Sequence, residues 1–218
     1  MEISFLTVLL FGFILGVKHS LEPDHIIAVS TIASKTKTLW RSSLAGVYWG
    51  IGHTVTLFIV GLVLIVLKAE VNEVFALSLE FLVGIMLVYL GVTSMFVYKK
   101  RLVEQKEYSR SPHIAYGKSF LIGIVHGLAG SAAMILLTVS TVSSVWQEAV
   151  YIIVFGAGTI VGMLFFTTLI GVPFVLSADK KRLNRLLTQV TGGISAVFGI
   201  YYMYNLGITE GLFKLWLE

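Results

Sequence analysis

The 218-residue sequence contains no cysteine. That excludes disulfides, thiolate metal sites, iron–sulfur clusters and the redox Cys pair that a membrane thiol–disulfide carrier needs. Charge is also scarce. Only 13% of residues are Asp, Glu, Lys or Arg, against about 25% in a soluble domain, which is too few to wet a soluble surface of this size. The stretch from Ile3 to Val17 has no basic region and no small-residue cleavage site, and apolar sequence resumes beyond it, so it does not read as a signal peptide. There is no G-x-x-x-x-G-K-[ST] phosphate loop and no H-E-x-x-H pair, so neither ATP-driven work nor zinc proteolysis has a motif to stand on. What is plentiful is apolar sequence, 56% of residues with a mean hydropathy of +0.89. Six spans of about 20 apolar residues would use about 120 of the 218, leaving short loops and no second domain. Soluble enzymes, nucleic-acid binders and secreted disulfide scaffolds are excluded. The expectation is one all-α polytopic unit in a lipid bilayer, with no enzymatic activity and no resident cofactor.

Apolar runs fall at about 3–33, 43–67, 75–98, 119–144, 149–177 and 187–208. Each is too long for a strand and lacks two-residue alternation, so each reads as a helix. The basic residues sort the connections between them. Lys35, Lys37 and Arg41 follow the first run; Lys99, Lys100, Arg101, Lys106, Arg110 and Lys118 follow the third; Lys180, Lys181, Arg182 and Arg185 follow the fifth. Thirteen of the sixteen Lys and Arg thus lie on alternate loops. By the positive-inside rule those loops are cytoplasmic and both termini lie outside a cell membrane. The net charge of +4 is then topology rather than a nucleic-acid surface. Trp40 and Trp146 mark span ends, and the tail from Gly211, with Phe213, Leu215 and Trp216, is expected along the outer interface. Glu80, near the outer end of the third run, is expected to reach the headgroups.

The halves of the chain resemble each other. Gly16-Val-Lys-His19-Ser-Leu21 is matched by Gly123-Ile-Val-His126-Gly-Leu128, and Gly50-Ile-Gly52-His53-Thr54 by Gly156-Ala-Gly158-Thr159. Gly84 and Gly91 in the third run are matched by Gly192 and Gly199 in the sixth. The matches keep their order, at offsets of 106 to 108. The reading is repeat one at about 1–98, a basic cytoplasmic loop at about 99–118 and repeat two at about 119–208. Three spans per repeat make the two copies inverted in the membrane, an architecture many transporters use around a midplane site. The pairs Gly12/Gly16, Gly46/Gly50, Gly123/Gly127 and Gly158/Gly162 permit close helix approach.

The first span carries Lys18-His-Ser-Leu-Glu-Pro-Asp-His25. Residues 3–30 hold fifteen Leu, Ile, Phe and Val, worth about −7 kcal/mol on the insertion scale, whereas charged Lys18, Glu22 and Asp24 at the centre cost about +9 kcal/mol. The polar face therefore belongs inside the bundle or against a wet cavity, the usual mark of a functional site. Pro23 has no N–H for the carbonyl of His19, so the helix is expected to kink or open there and expose backbone oxygen. On an ideal helix His19 and His25 lie about 240° apart and His19 and Asp24 about 140° apart; a break is what could gather them. Imidazole nitrogen with carboxylate oxygen suits nickel, cobalt or zinc, while calcium and magnesium prefer all-oxygen shells. The candidate ligands are His19, Asp24, His25, His53 and His126, with Glu22 behind them. Lys18 and Glu22 read equally well as an internal charge pair, and His53 and His126 as helix–helix hydrogen-bonding groups. His113 reads as solvated, and Ser131, Thr138 and Ser140 as ordinary helix hydroxyls.

His19-Ser-Leu-Glu-Pro-Asp24-His25 resembles the HX4DH signature of the nickel/cobalt transporter family, and Gly52-His53-Thr54 resembles that family's Gly-His-Ser/Thr motif. The length, the six spans and His126-Gly-Leu-Ala-Gly-Ser131 resemble its shorter urease-accessory branch. Larger members have eight spans and acid-bearing later motifs; here Leu128–Ala133 has no acid, and Glu22 stands where Asp is usual. The resemblance implies metal recognition by His19, Asp24 and His25, with His53 second. The expected function is a six-helix permease for a divalent transition metal, nickel first and cobalt second, working by alternating access. The alternatives are an exporter of sulfite or another small anion, and a non-transporting accessory protein for metalloenzyme assembly.

Overall fold

A computed structural model describes residues 5–36, 38–67, 72–96, 112–139 and 144–217, without the side chains of 112–115 and 131–139. Among these residues the secondary structure is helical, with no strand. The helices are α1 (Phe5–His19), α2 (Pro23–Ala33), α3 (Leu39–Leu67), α4 (Glu73–Phe96), α5 (Pro112–Val139), α6 (Val145–Leu176), α7 (Lys181–Tyr204) and α8 (Leu212–Leu215), with a π-helical turn at Asn205–Thr209 between the last two. By length and composition, α3, α4, α6 and α7 with its π turn can each cross a membrane, and α1 with α2 makes a fifth span if the bent pair is counted as one. The fourth apolar run falls on α5, whose 28 residues rise about 42 Å at 1.5 Å each. The chain is a multi-pass membrane protein.

Several boundaries differ from the sequence reading. Helices start earlier than the apolar runs do, because basic and aromatic residues at span ends are good enough helix formers to extend the last turns into the interface. Trp40 and Arg41 lie in the first turn of α3, Lys118 lies within α5, and Lys181, Arg182 and Arg185 open α7 rather than sitting in a loop. Lys37 and the stretch 97–111, which holds most of the basic connection after α4, lie outside the described residues, as does Ser140. Exposed Trp146 sits in the first turn of α6, where Ser144 caps the helix by accepting from the Gln147 N–H.

In the first span the helix opens rather than kinks: α1 ends at His19, α2 begins with Pro23, and the two axes differ by 57°. Proline at the first helical position sacrifices an N–H that has no intrahelical partner anyway and brings φ already set. Nor is the His19 carbonyl left bare, because the Glu22 N–H donates to it at 3.0 Å. That tight turn satisfies the end of α1.

Glycine decides how the helices pack. A Cβ on Gly16 (α1) would strike the Phe155 carbonyl of α6, and one on Gly123 (α5) would strike the Trp49 carbonyl of α3. Gly52 (α3) lies against the Phe120 carbonyl of α5, and Gly158 (α6) against the Phe13 carbonyl of α1. Gly84 and Gly91 of α4 meet Gly199 and Gly192 of α7. α3 packs on both α5 and α6, α4 on α7, and α1 on α6, while α2 meets α4, α6 and α7. The main core gathers Ala28, Val29 and Ile32 of α2, Trp49 of α3, Leu87 of α4 and Met163 of α6. Outward-facing residues such as Ile59, Tyr89, Phe165 and Val197 are apolar and exposed, as a bilayer requires.

The tail is tied to the bundle. Gly211 adopts φ +81°, a left-handed turn that glycine takes without strain, and this folds α8 back. Leu212 is buried with Leu77 and Leu206, and the Trp216 Nε1–H donates to Ser78 Oγ at 3.0 Å.

Candidate metal centre

The break brings together what a continuous helix would separate. His19 ends α1, Glu22 sits in the turn, and Asp24 and His25 occupy the first turn of α2. The ring centroids of His19 and His25 are 4.6 Å apart. His53, from the middle of α3, and His126, from α5, close on the same point: the His25 centroid lies 5.2 Å from that of His53 and 4.0 Å from that of His126. All five residues singled out as ligands converge, and so does Glu22. His25, His53 and His126 are each at most 2% exposed, whereas the Glu22 side chain is 51% exposed.

Carboxylates set the imidazoles. His19 Nδ1 lies 2.9 Å from Glu22 Oε1, and His25 Nδ1 lies 3.2 Å from Asp24 Oδ1, which also accepts the His25 backbone N–H at 3.0 Å. The other Asp24 oxygen lies 2.8 Å from His126 Nε2. A carboxylate on one ring nitrogen fixes the tautomer and makes the other nitrogen a better ligand. Here that other nitrogen is Nε2 in His19 and His25 and Nδ1 in His126. The His19 and His53 Nε2 atoms are 3.1 Å apart, while His25 Nε2, His53 Nδ1 and His126 Nδ1 are buried with no hydrogen-bond partner.

Two donor sets follow, one of His19, His25 and His53 and one of Asp24, His25 and His126, each with its ligand atoms within 4.8 Å of one another. Around one ion, bonds of about 2.1 Å hold three donors at most about 3.6 Å from one another. Side-chain movements of up to about 1 Å gather either set. His25 belongs to both.

Three placements go beyond or against the sequence reading. Lys18 is exposed, and Glu22 pairs with His19 instead of with it. Glu80 does not reach out to headgroups; its carboxylate accepts from the Tyr202 hydroxyl of α7 at 3.0 Å. Trp49 was not singled out, yet it is fully buried and its ring stacks on His25 at 5.7 Å and 13°. Its position four residues before His53, on one face of α3, is the signal that could have found it. Gly130 leaves room beside His19 and His53. The side chains of His113, Ser131 and Thr138 lie outside the described residues.

The described residues thus form a multi-pass membrane bundle in which His25, His53 and His126 are buried beside a helix break, with donor sets that could hold a metal ion. The family of high-affinity nickel-transport proteins (NicO) matches residues 5–112, and the chain belongs to it. It is 56% identical to the urease accessory protein UreH of Bacillus sp. (strain TB-90), across 100% of this chain and 99% of that one. It is also 30% and 28% identical to the Arabidopsis thaliana chloroplast proteins FOR GROWTH AND FERTILITY 2 and 1, covering 85% and 87% of this chain but only 52% and 56% of theirs. No solved structure matches it.

Proposed function

We propose that the protein is a permease for divalent nickel, with cobalt as second substrate, built as two inverted three-span repeats around the histidine centre. The observation that carries this reading is the pair of three-donor sets sharing His25. An ion entering at the break sheds part of its water and takes His19, His25 and His53, then shifts to Asp24, His25 and His126 by exchanging two ligands while His25 holds on. Glu22 and Asp24 orient imidazoles in the first position; Asp24 turns ligand in the second. Three nitrogen donors favour borderline metals over magnesium and calcium, and the description of the family favours nickel.

The inverted repeats are supported by the glycine contacts, in which each pair recurs at its repeat-related position: Gly16 on Phe155 with Gly123 on Trp49, and Gly52 on Phe120 with Gly158 on Phe13. Rocking of one repeat against the other then alternates access. The basic connections support both termini outside; a dication entering then gains about 4.6 kcal/mol per 100 mV of inside-negative potential. An anion exporter is disfavoured, because two carboxylates stand in the centre and Lys18 lies outside it.

The test is flux in reconstituted liposomes with nickel, cobalt, zinc and sulfite, for wild type and His19→Ala. The expected result is nickel and cobalt flux in wild type and its loss in the variant. Metal binding without flux would move the assignment to a non-transporting accessory protein, which the description of the Bacillus relative also fits. Sulfite flux would overturn the metal reading.

A further inference from the structure

We infer that the seam between α4 and α7 walls the ion's route, with Glu80, held by Tyr202, as a cation stop between the outer face and the histidine centre. This rests on the permease reading above.

Glu80 lies one helical turn outward of Gly84, in a spanning helix whose crossing with α7 is set by Gly84 on Gly199 and Gly91 on Gly192. An intramembrane carboxylate is costly and marks a site or pathway by default. Its partner here is a phenol, which holds a carboxylate in place without neutralising it, and among the described residues no salt bridge reaches it. Glu210 lies just beyond the π turn at the end of α7, and Glu22 and Asp24 lie at the break, from which α2 packs on α4 and α7. The packing leaves that side approachable. α1 packs on α6, whereas α2, beyond the break, packs on α4, α6 and α7; Leu21, Glu22 and Pro23 at the break are exposed.

The repeat supplies an independent observation. The offset of 108 that carries Gly84 to Gly192 carries Glu80 to Thr188 and Ser94 to Tyr202. Ser94 and Thr188 are each 1% exposed, and their hydroxyl oxygens have no hydrogen-bond partner. A buried hydroxyl left unpaired destabilises a fold, so two of them at the inner counterpart of the Glu80–Tyr202 pair call for a task. The same wall then offers a charged oxygen pair outside and a neutral one inside. Oxygen donors hold a hydrated divalent cation weakly and leave its dehydration to the imidazoles. A charged entry and a neutral exit favour inward passage.

The experiment measures nickel transport kinetics in liposomes, saturation binding of nickel to purified protein, and thermal stability for wild type, Glu80→Gln, Glu80→Asp and Thr188→Val. Removing the entry charge is expected to raise KM about tenfold, the low end of electrostatic focusing, with kcat within about twofold and the bound nickel at saturation unchanged; Glu80→Asp restores most of it. Thr188→Val is expected to lower kcat about threefold without loss of thermal stability, since removing an unpaired buried hydroxyl is neutral or stabilising. An unchanged KM in Glu80→Gln overturns the inference, as does a parallel fall of KM-independent rate and stability in both Glu80 variants. An unchanged kcat in Thr188→Val overturns its inner half. A wild type that moves no metal overturns the proposed function itself.

Discussion

Gly16-Val-Lys-His19 and Gly123-Ile-Val-His126 begin as one device and end as two. In each, a glycine seats its helix against a backbone carbonyl of a neighbour, Phe155 for α1 and Trp49 for α5, and a histidine follows three residues later. Beyond the histidine they part. Ser20-Leu-Glu-Pro-Asp-His25 ends one helix and starts another, whereas Gly127-Leu-Ala-Gly-Ser-Ala continues α5 to Val139. The broken copy delivers His19, Glu22, Asp24 and His25 to the centre, and the continuous copy delivers His126 alone. Helix approach comes from what the halves share, and the chemistry from where they differ.

The most severe way to break that comparison is at His25, which belongs to both donor sets. His25→Ala is expected to abolish metal binding and accumulation while the protein remains folded in the membrane. Equilibrium nickel binding and radionickel uptake check it; normal uptake would sink the assignment of the centre. Next come the shared glycines. Gly16→Val and Gly123→Val each drive a side chain into a carbonyl and are expected to cost about 3 kcal/mol, the upper range for overpacking, read as thermal stability in detergent. A variant that tolerates valine at one position and collapses at the other would show that the two glycines are not equivalent.

Much of this was legible before any coordinates. Length and apolar content gave the four helices able to cross a membrane and the bent first pair, because in lipid the backbone has no other way to satisfy itself. The spacing of His19, Asp24 and His25 demanded a break, and Pro23 supplied one. Whether residues 19–25 stay helical was not legible, because proline stops the preceding helix or starts the next, and the Glu22 N–H bond to the His19 carbonyl shows which. The Glu80–Tyr202 contact spans 122 residues and depends on the crossing of α4 with α7, so no local pattern could announce it. The exposure of Lys18 likewise follows from which face α1 turns toward α6.

The finest test separates the two carboxylates of the broken copy. Both sit on an imidazole Nδ1, but Asp24 holds His25 and His126 together and its side chain is 17% exposed, while Glu22 holds His19 with its side chain 51% exposed. A hydrogen bond open to water is exchanged for one to solvent at little loss, whereas a buried one is not. Asp24→Asn keeps the shape but cannot accept at both oxygens, and two imidazoles lose their orientation. Removing such an outer partner lowers metal affinity about 10- to 100-fold, and that is the expectation for Asp24. Glu22→Gln still presents an amide oxygen to His19 Nδ1 and is expected to lower affinity only about threefold, below that range. Nickel titrations of the two purified variants decide it. If Glu22→Gln weakened binding as much as Asp24→Asn, the exposed carboxylate would have to be a ligand in its own right, and the first ion position would be His19, His25, His53 and Glu22 rather than an all-imidazole set.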